Sequence, residues 1–223
     1  MGGEKEGRAG AGAGERKKPL MRGVLHQVAA AVSFVAGGAM VGHAAPDSKA
    51  MVAGAIYCLS LVFLFAASAT YHRPDWEPRE RKILRRIDHG AIFVLIAGTY
   101  SPIVLLTFES GTSAEKYVGF IWLLALFGIL LSVFWPSAPK GLVAAICVGF
   151  GAIGLLEHKS FQLTGAELFV IGLGGVFYVI GAVVYAVRRP DPFPEVFGYH
   201  EVFHALTILA TVCHFGVIWE LTS

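Results

Sequence analysis

Long apolar runs separated by short polar segments make up most of the sequence from residue 24 onwards. The runs are roughly 20 residues long, the length at which an α-helix crosses the hydrocarbon core of a bilayer. They do not show the alternation of apolar and polar residues that is typical of outer-membrane barrel strands. The pattern therefore predicts an all-α fold, a bundle of seven transmembrane helices of which the fifth is the shortest, at 24–45, 51–71, 90–108, 117–135, 140–156, 166–187 and 201–221.

The composition also indicates a membrane protein. Hydrophobic residues account for 55% of the 223 residues and charged residues for 15%, whereas about a quarter of the residues of a soluble domain are charged. Each of the three cysteines, Cys58, Cys147 and Cys213, lies alone in a different predicted span. This spacing predicts free thiols rather than a disulfide framework.

The first 22 residues differ from the rest of the chain. They are rich in glycine, alanine and charged residues and show no periodicity, which is typical of a disordered segment. Position 6 is Glu, whereas an N-myristoylation signal has Ser or Thr there, so we do not expect this lipid modification. The apolar run that follows is longer than the hydrophobic core of a usual signal peptide, so we interpret it as the first transmembrane span. We therefore predict a disordered tail at 1–22 and a seven-helix membrane domain at 23–223.

Basic residues are distributed unequally between the two sides of the predicted bundle. With seven spans, the N-terminus shares one side with three loops, 72–89, 136–139 (with Lys140 at its edge) and 188–200. All but three of the 18 Lys and Arg residues lie on this side, the exceptions being Lys49, Lys116 and Lys159. The positive-inside rule then predicts a cytoplasmic N-terminus and an external C-terminus. Topology and attraction to anionic lipid also explain the basic run at 79–86, so we do not expect nucleic-acid binding.

Two histidines lie four residues apart at the predicted cytoplasmic start of the seventh span. His200 and His204 share one helix face, about 6 Å apart. Both imidazoles can therefore reach one metal ion. Taken alone, the pair is also typical of histidines at the membrane interface or in hydrogen bonds between helices.

Three more polar residues are predicted at the same depth. Ser68 and His72 close the second span with the same four-residue spacing, and Asp88 opens the third span. Each has an ordinary structural interpretation as well. Ser68 can bond to a carbonyl of its own helix, and His72 can lie among lipid headgroups. Asp88 can cap its helix or pair with Arg85 or Arg86.

These five residues come from three helices and one leaflet, and together they favour a metal site. Three histidines with an open fourth position, here His72, His200 and His204, are a common arrangement of catalytic zinc. Zinc lowers the pKa of a bound water to about 7. We expect Asp88 to hold and deprotonate this water, and Ser68 to orient the water or a substrate carbonyl. Three imidazoles also accept other divalent ions.

The remaining histidines are expected outside this site. His26 opens the first span on the same side, where it can donate a hydrogen bond to a metal ligand, although the sequence favours an interfacial role. His89 lies about 100° around the helix from Asp88. His214 lies about 15 Å further along its helix than His204. The last two histidines are predicted on the outer side, His43 and His158.

The motif combination resembles a known superfamily. SxxxH at 68–72, Asp88 and HxxxH at 200–204 are similar to the motifs of the adiponectin-receptor and progestin-receptor superfamily. The sequence RGVLHQVAA at 22–30, the glycine-rich tail and the compact loops resemble its bacterial hemolysin III branch, and the resemblance covers about residues 19–221.

The resemblance implies both a topology and a site. It implies a multi-pass protein of a bacterial inner (plasma) membrane, with seven helices and a cytoplasmic N-terminus. It also implies zinc held by His72, His200 and His204, with the Asp and Ser of the family at Asp88 and Ser68. Since the superfamily includes alkaline ceramidases, we expect a zinc-dependent, ceramidase-like hydrolase of a membrane-lipid amide or ester, acting at the cytoplasmic leaflet.

Two alternatives remain open from the sequence. The first is a non-catalytic membrane sensor or homeostasis protein in which zinc is structural, as direct binding of Asp88 to the metal would indicate. The second is a hemolysin-like cytolytic factor, although the chain has no amphipathic pore-forming segment besides its spans. A retinal protein or G-protein-coupled receptor does not fit. The charge distribution places the N-terminus inside, and the seventh span has no lysine for a Schiff base.

Overall fold

The computed structural model describes residues 18–108, 111–156 and 158–223. Residues 1–17 of the predicted disordered tail lie outside the described residues. The described residues form seven α-helices: α1 Val24–His43, α2 Ser48–His72, α3 Pro78–Thr107, α4 Gly111–Phe134, α5 Lys140–Ala152, α6 Gly165–Val187 and α7 Tyr199–Leu221. All of these helices except α5 are long and apolar enough to cross a membrane. The predicted all-α membrane bundle is confirmed.

The fifth helix is shorter than its predicted span of 140–156. It ends at Ala152 and continues as one 3-10 turn at Ile153–Leu155. The Tyr100 hydroxyl from α3 satisfies backbone groups at this end, because it donates to the Gly151 carbonyl at 2.6 Å and accepts from the Gly154 N–H at 2.7 Å. Glycine is a poor helix former, and this bridge stabilises the point where the helix stops.

The third helix begins well before its predicted span of 90–108. It starts at Pro78, so most of the loop predicted at 72–89 is helical. Proline is favoured at the first helical position because the missing N–H has no partner there in any case. The charged residues that follow are largely exposed on this first part of α3. Hydropathy therefore marks where the helix enters the apolar layer, not where the helix begins.

Helices that follow one another in the chain pack side by side. Two helices also make contacts outside this sequential pattern. The last helix, α7, packs against α1, α2 and α3, and α5 packs on α3 as well as on α6. Among the candidate spans, α3 has the largest buried share and is the centre of the bundle. Large apolar side chains on the outer faces are exposed, as is expected where lipid covers them, for example Phe34, Leu59, Phe127 and Phe169.

The core is continuous across the helices. On α2, Tyr57, Leu61 and Phe65 are fully buried and pack against residues of α1, α3 and α7. Small residues let the helices approach closely, because a Cβ added at Gly98 of α3 would overlap the Ser60 side chain of α2. The three cysteines are free, as predicted.

The segment before α1 and two loops meet at one end of the bundle. Lys18 Nζ donates to the Arg73 carbonyl at 2.8 Å, and the Leu20 N–H donates to the Glu195 carbonyl at 3.0 Å. Residues 18–22 of the predicted tail are thus held by defined contacts. Two helices separate the segment before α1 from the first of these loops, and four helices separate that loop from the second, so an even number of crossings returns the chain to the same side each time. That this side is cytoplasmic stays a prediction.

Candidate metal centre

Three histidines converge at this same end of the bundle. His72 is the last residue of α2, and His200 and His204 lie in the first turns of α7. Ligand atoms of the three rings all lie within 4.8 Å of one another, and His72 Nε2 is 3.1 Å from His200 Nε2. His200 and His204 are buried, and His72 is partly exposed. The cluster can hold a metal ion.

The first turn of α7 is fixed by a buried carboxylate. Glu201 is 1% exposed, and its Oε2 accepts a hydrogen bond of 2.9 Å from the Gly198 N–H at the helix start. Its Oε1 accepts a hydrogen bond of 2.6 Å from Arg22 Nε. Glu201 therefore caps its own helix and ties the segment before α1 to the helix that carries His200 and His204.

The end of α2 is crossed closely by the chain that enters α1. Gly23 has a positive φ of 78°, a conformation that glycine adopts at little cost. A Cβ at this position would lie 3.0 Å from the Arg73 nitrogen and 3.2 Å from the His72 Cβ. Glycine at position 23 thus lets this chain segment pass beside His72.

Asp88 and Ser68 lie beside the histidines. Asp88 Oδ2 is 3.7 Å from His72 Nε2, and the Ser68 hydroxyl lies next to the Asp88 carboxyl group. Both side chains are buried. The structure thus brings together all five residues that the sequence predicts for the site, although their chemical roles stay predictions.

The ordinary interpretation of Asp88 as a helix cap is wrong. Asp88 lies about three turns inside α3, which begins at Pro78, so its helix has no free N–H groups at that point. Nor does Asp88 form an ion pair with Arg85 or Arg86 among the described residues. Its contacts are directed to His72 and Ser68.

The donor set fits zinc. Three imidazoles are common zinc ligands, and such a set leaves a further position for water or substrate. Asp88 is not part of the group of mutually close ligand atoms within the described chain. The geometry therefore provides three protein ligands with a carboxylate next to them. Three imidazoles do not select zinc over other divalent metals.

His26 is buried within the site, and the interfacial role predicted for it is wrong. The side chain is 3% exposed. Its ring lies parallel to the His204 ring, with 3.7 Å between the centroids and 4° between the planes. The sequence shows that His26 is near the end of a span but not which way it faces. In the structure it faces α7.

The other described histidines lie away from the cluster. His214 Nε2 is 3.2 Å from the Ile171 carbonyl of α6, in agreement with the prediction that it is too far along α7. The ring of His43, the last residue of α1, stacks on Trp219. His89 is half-buried and is not part of the group of close ligand atoms in the described structure.

The sequence did not identify an aromatic neighbour of the site. Tyr185 of α6 lies against His200, with 5.9 Å between the ring centroids, and against Phe203 at 5.1 Å. Lys140 Nζ lies 4.7 Å above the centre of the Tyr185 ring, a cation–π contact. No local sequence motif predicts the contact between Lys140 and Tyr185, because the two residues belong to different helices.

Comparison with known proteins agrees with this architecture. The profile of the Haemolysin-III related family matches residues 15–215. The chain is 28% identical to Hemolysin-3 of Bacillus cereus over 86% of each chain. It is 29% identical to the Hemolysin-3 homolog of Bacillus subtilis over 86% of this chain and 88% of the relative. The adiponectin receptor protein of Drosophila melanogaster is 28% identical over 75% of this chain and 40% of the relative.

Proposed function

This chain is a multi-pass membrane protein of the Haemolysin-III related family, and we propose that its histidine cluster is a zinc centre that hydrolyses an amide or ester bond of a membrane lipid. One observation carries the proposal. Three imidazoles whose ligand atoms lie within 4.8 Å of one another adjoin a buried carboxylate and a buried hydroxyl in the membrane domain. Burying ionisable residues in the membrane-spanning part of a protein costs free energy, and such residues usually serve a function.

Zinc bound there would supply a Lewis acid and a water with a pKa of about 7. Asp88 is placed to accept a proton from a water beside His72, at the Oδ2 oxygen that lies 3.7 Å from His72 Nε2. The Ser68 hydroxyl lies next to the Asp88 carboxyl group, where it could donate a hydrogen bond and hold the orientation of that group. This arrangement is that of a general base with a group that positions it.

The location of the cluster supports a lipid substrate. His72 ends α2 and His200 is the second residue of α7, so the site lies near the ends of the helices rather than at their middle. The outer faces of the helices are apolar. A lipid could keep its tails in the bilayer while its polar bond reaches the site. Since His72 is the partly exposed member of the cluster and the other two are buried, access is expected from the end of α2.

We place this end at the cytoplasmic leaflet of a bacterial plasma membrane. The support is the charge distribution, in which all but three of the 18 Lys and Arg residues lie on the side of the N-terminus, together with the positive-inside rule. The bacterial relatives in Bacillus support a bacterial origin.

The test is metal content and lipid hydrolysis of detergent-purified protein. We expect one zinc per chain in the wild type, lost in His204→Ala and kept in Asp88→Asn. Hydrolysis of a ceramide and acyl-lipid panel should fall by roughly 100-fold or more in Asp88→Asn. His214→Ala is the matched control, because this buried histidine bonds to Ile171 outside the cluster, and it should keep both zinc and activity.

Two results would contradict the proposal. A wild type that binds no zinc even when zinc is supplied rules out the zinc centre. A zinc-loaded wild type that hydrolyses no lipid in the panel rules out catalysis but not the metal.

The second candidate is a non-catalytic, zinc-stabilised sensor. The observation in its favour is that the histidines lie on two helices, α2 and α7, which a bound ion would join. A structural zinc site usually has four protein ligands. Loss of zinc in Asp88→Asn, together with no hydrolysis by the wild type, would therefore favour the sensor.

A further inference from the structure

The chain at the start of α1 contacts the start of α7 through two side chains. Arg22 lies in the segment before α1, and His26 lies in the first turn of α1. Their partners on α7 are Glu201, bonded to Arg22 at 2.6 Å, and His204, stacked on His26 at 3.7 Å. Glu201 and His204 are three residues apart and share a face. At the level of the site, α1 is therefore aligned on the helix that carries two of the three candidate ligands.

His26 is the middle ring of a stack that crosses three helices. On one side its ring is parallel to that of His204. On the other side it packs against Phe65 of α2, with 4.9 Å between the centroids and 59° between the planes. Phe65 is itself fully buried. The His26 ring is thus confined between a rigid core residue and a candidate metal ligand.

The contact between His26 and the site is made by the ring face. Both ring nitrogens are buried, and neither has a hydrogen-bond partner among the described residues. What the imidazole provides here is a flat surface against His204.

We propose that His26 is a positioning residue of the metal centre, whose ring fixes the plane of the His204 ring so that its ligand nitrogen points at His72 and His200. The inference rests on the proposed zinc centre. A parallel ring 3.7 Å away blocks rotation of the His204 imidazole about its bond to the Cβ. Groups that orient a metal ligand without touching the metal typically change its affinity by about 10- to 100-fold.

The test compares two replacements of His26 in the full-length protein. His26→Phe keeps a flat ring and removes the nitrogens, whereas His26→Leu keeps an apolar side chain and removes the flat ring. We expect the zinc affinity, measured by competition with a chelator, to fall by about 10- to 100-fold in His26→Leu. In His26→Phe it should remain within about threefold of the wild type, because the ring contact is retained.

A second readout separates positioning from loss of fold. The visible absorption of bound cobalt reports ligand geometry, so the band should shift in His26→Leu and remain unchanged in His26→Phe. The control is His43→Leu on the same helix. It removes a ring that stacks on Trp219, 5.5 Å away and outside the site, and it should change neither zinc affinity nor the cobalt band.

Either of two outcomes would overturn the inference. One is wild-type affinity and an unchanged cobalt band in His26→Leu. The other is a His26→Phe protein that is as impaired as His26→Leu, which would assign the role to the nitrogens. Failure of the zinc centre itself is distinguishable, because the wild type would then bind no zinc.

Discussion

At the scale of single residues, the site depends on side chains that are small as well as on those that can bind a metal. Gly23 has a positive φ and leaves room for the chain to pass His72 and Arg73. A side chain at this position would be strained in its own backbone and would also press on the end of α2. The candidate ligand His72 is thus positioned partly by a glycine, which has no side chain to press on it, in the neighbouring segment.

Gly23→Ala should therefore destabilise the protein and displace His72. We expect a loss of about 1–2 kcal/mol from the left-handed backbone alone, seen as a lower Tm in detergent, together with weaker zinc binding. Gly38→Ala, within α1, is the control, because a Cβ there meets nothing within 4 Å. It should keep or raise the Tm. Equal Tm values for Gly23→Ala and the wild type would contradict this view.

The identity of the candidate ligands was predictable for a physical reason. His200 and His204, like Ser68 and His72, are four residues apart, so the period of the helix places each pair on one face. The positions of their spans place both pairs at one depth. The facing of His26 was not predictable, because it depends on which helix lies next to α1. That information comes from packing rather than from local sequence.

At the scale of helices, the start of α7 is held by a long-range ion pair. Arg22 and Glu201 are 179 residues apart in the chain, so no local pattern pairs them. The capping contact of Glu201 with Gly198 is local and follows from their three-residue spacing. The start of α7 was therefore predictable, whereas its attachment to the segment before α1 was not.

Arg22→Ala should destabilise the bundle much more than Lys18→Ala. The first change leaves the buried Glu201 carboxylate without its cation, which typically costs about 3–5 kcal/mol. The second breaks an exposed pair with Asp75, a side chain that is 98% exposed, together with two exposed hydrogen bonds to the carbonyls of Arg73 and Pro74. Exposed ion pairs contribute little to stability. Thermal unfolding of both variants in the same detergent measures the difference. Similar Tm values for the two variants would contradict a structural role of the ion pair.

At the scale of the whole molecule, the helix count and the charge distribution predict one orientation. Hydropathy located the helices because lipid requires long apolar segments whose backbone groups are bonded internally. It could not locate the start of α3, since the polar first part of this helix lies outside the apolar segment. The bundle is confirmed, and its direction in the membrane can be measured.

Labelling of single cysteines determines that direction. The background lacks the native thiols through substitution by alanine at Cys58, Cys147 and Cys213. We expect a membrane-impermeant maleimide to label Ser223→Cys in intact cells and Asp75→Cys only in inverted vesicles, because both positions are exposed at opposite ends of the bundle. The control is labelling of each single-cysteine variant after lysis in detergent, where the reagent can reach both sides of the membrane. The reverse pattern would mean that the site faces outside.

The short fifth helix has a consequence for the surrounding lipid. A 13-residue helix is about 20 Å long, whereas the hydrocarbon core of a bilayer is about 30 Å thick. Such a mismatch is relieved by local thinning of the bilayer or by tilting of the helix. Beside α5, thinning would bring lipid headgroups closer to the level of Lys140 and Tyr185. The membrane itself would then be deformed next to the candidate metal centre, and lipid carbonyl groups would need to travel a shorter distance to reach it.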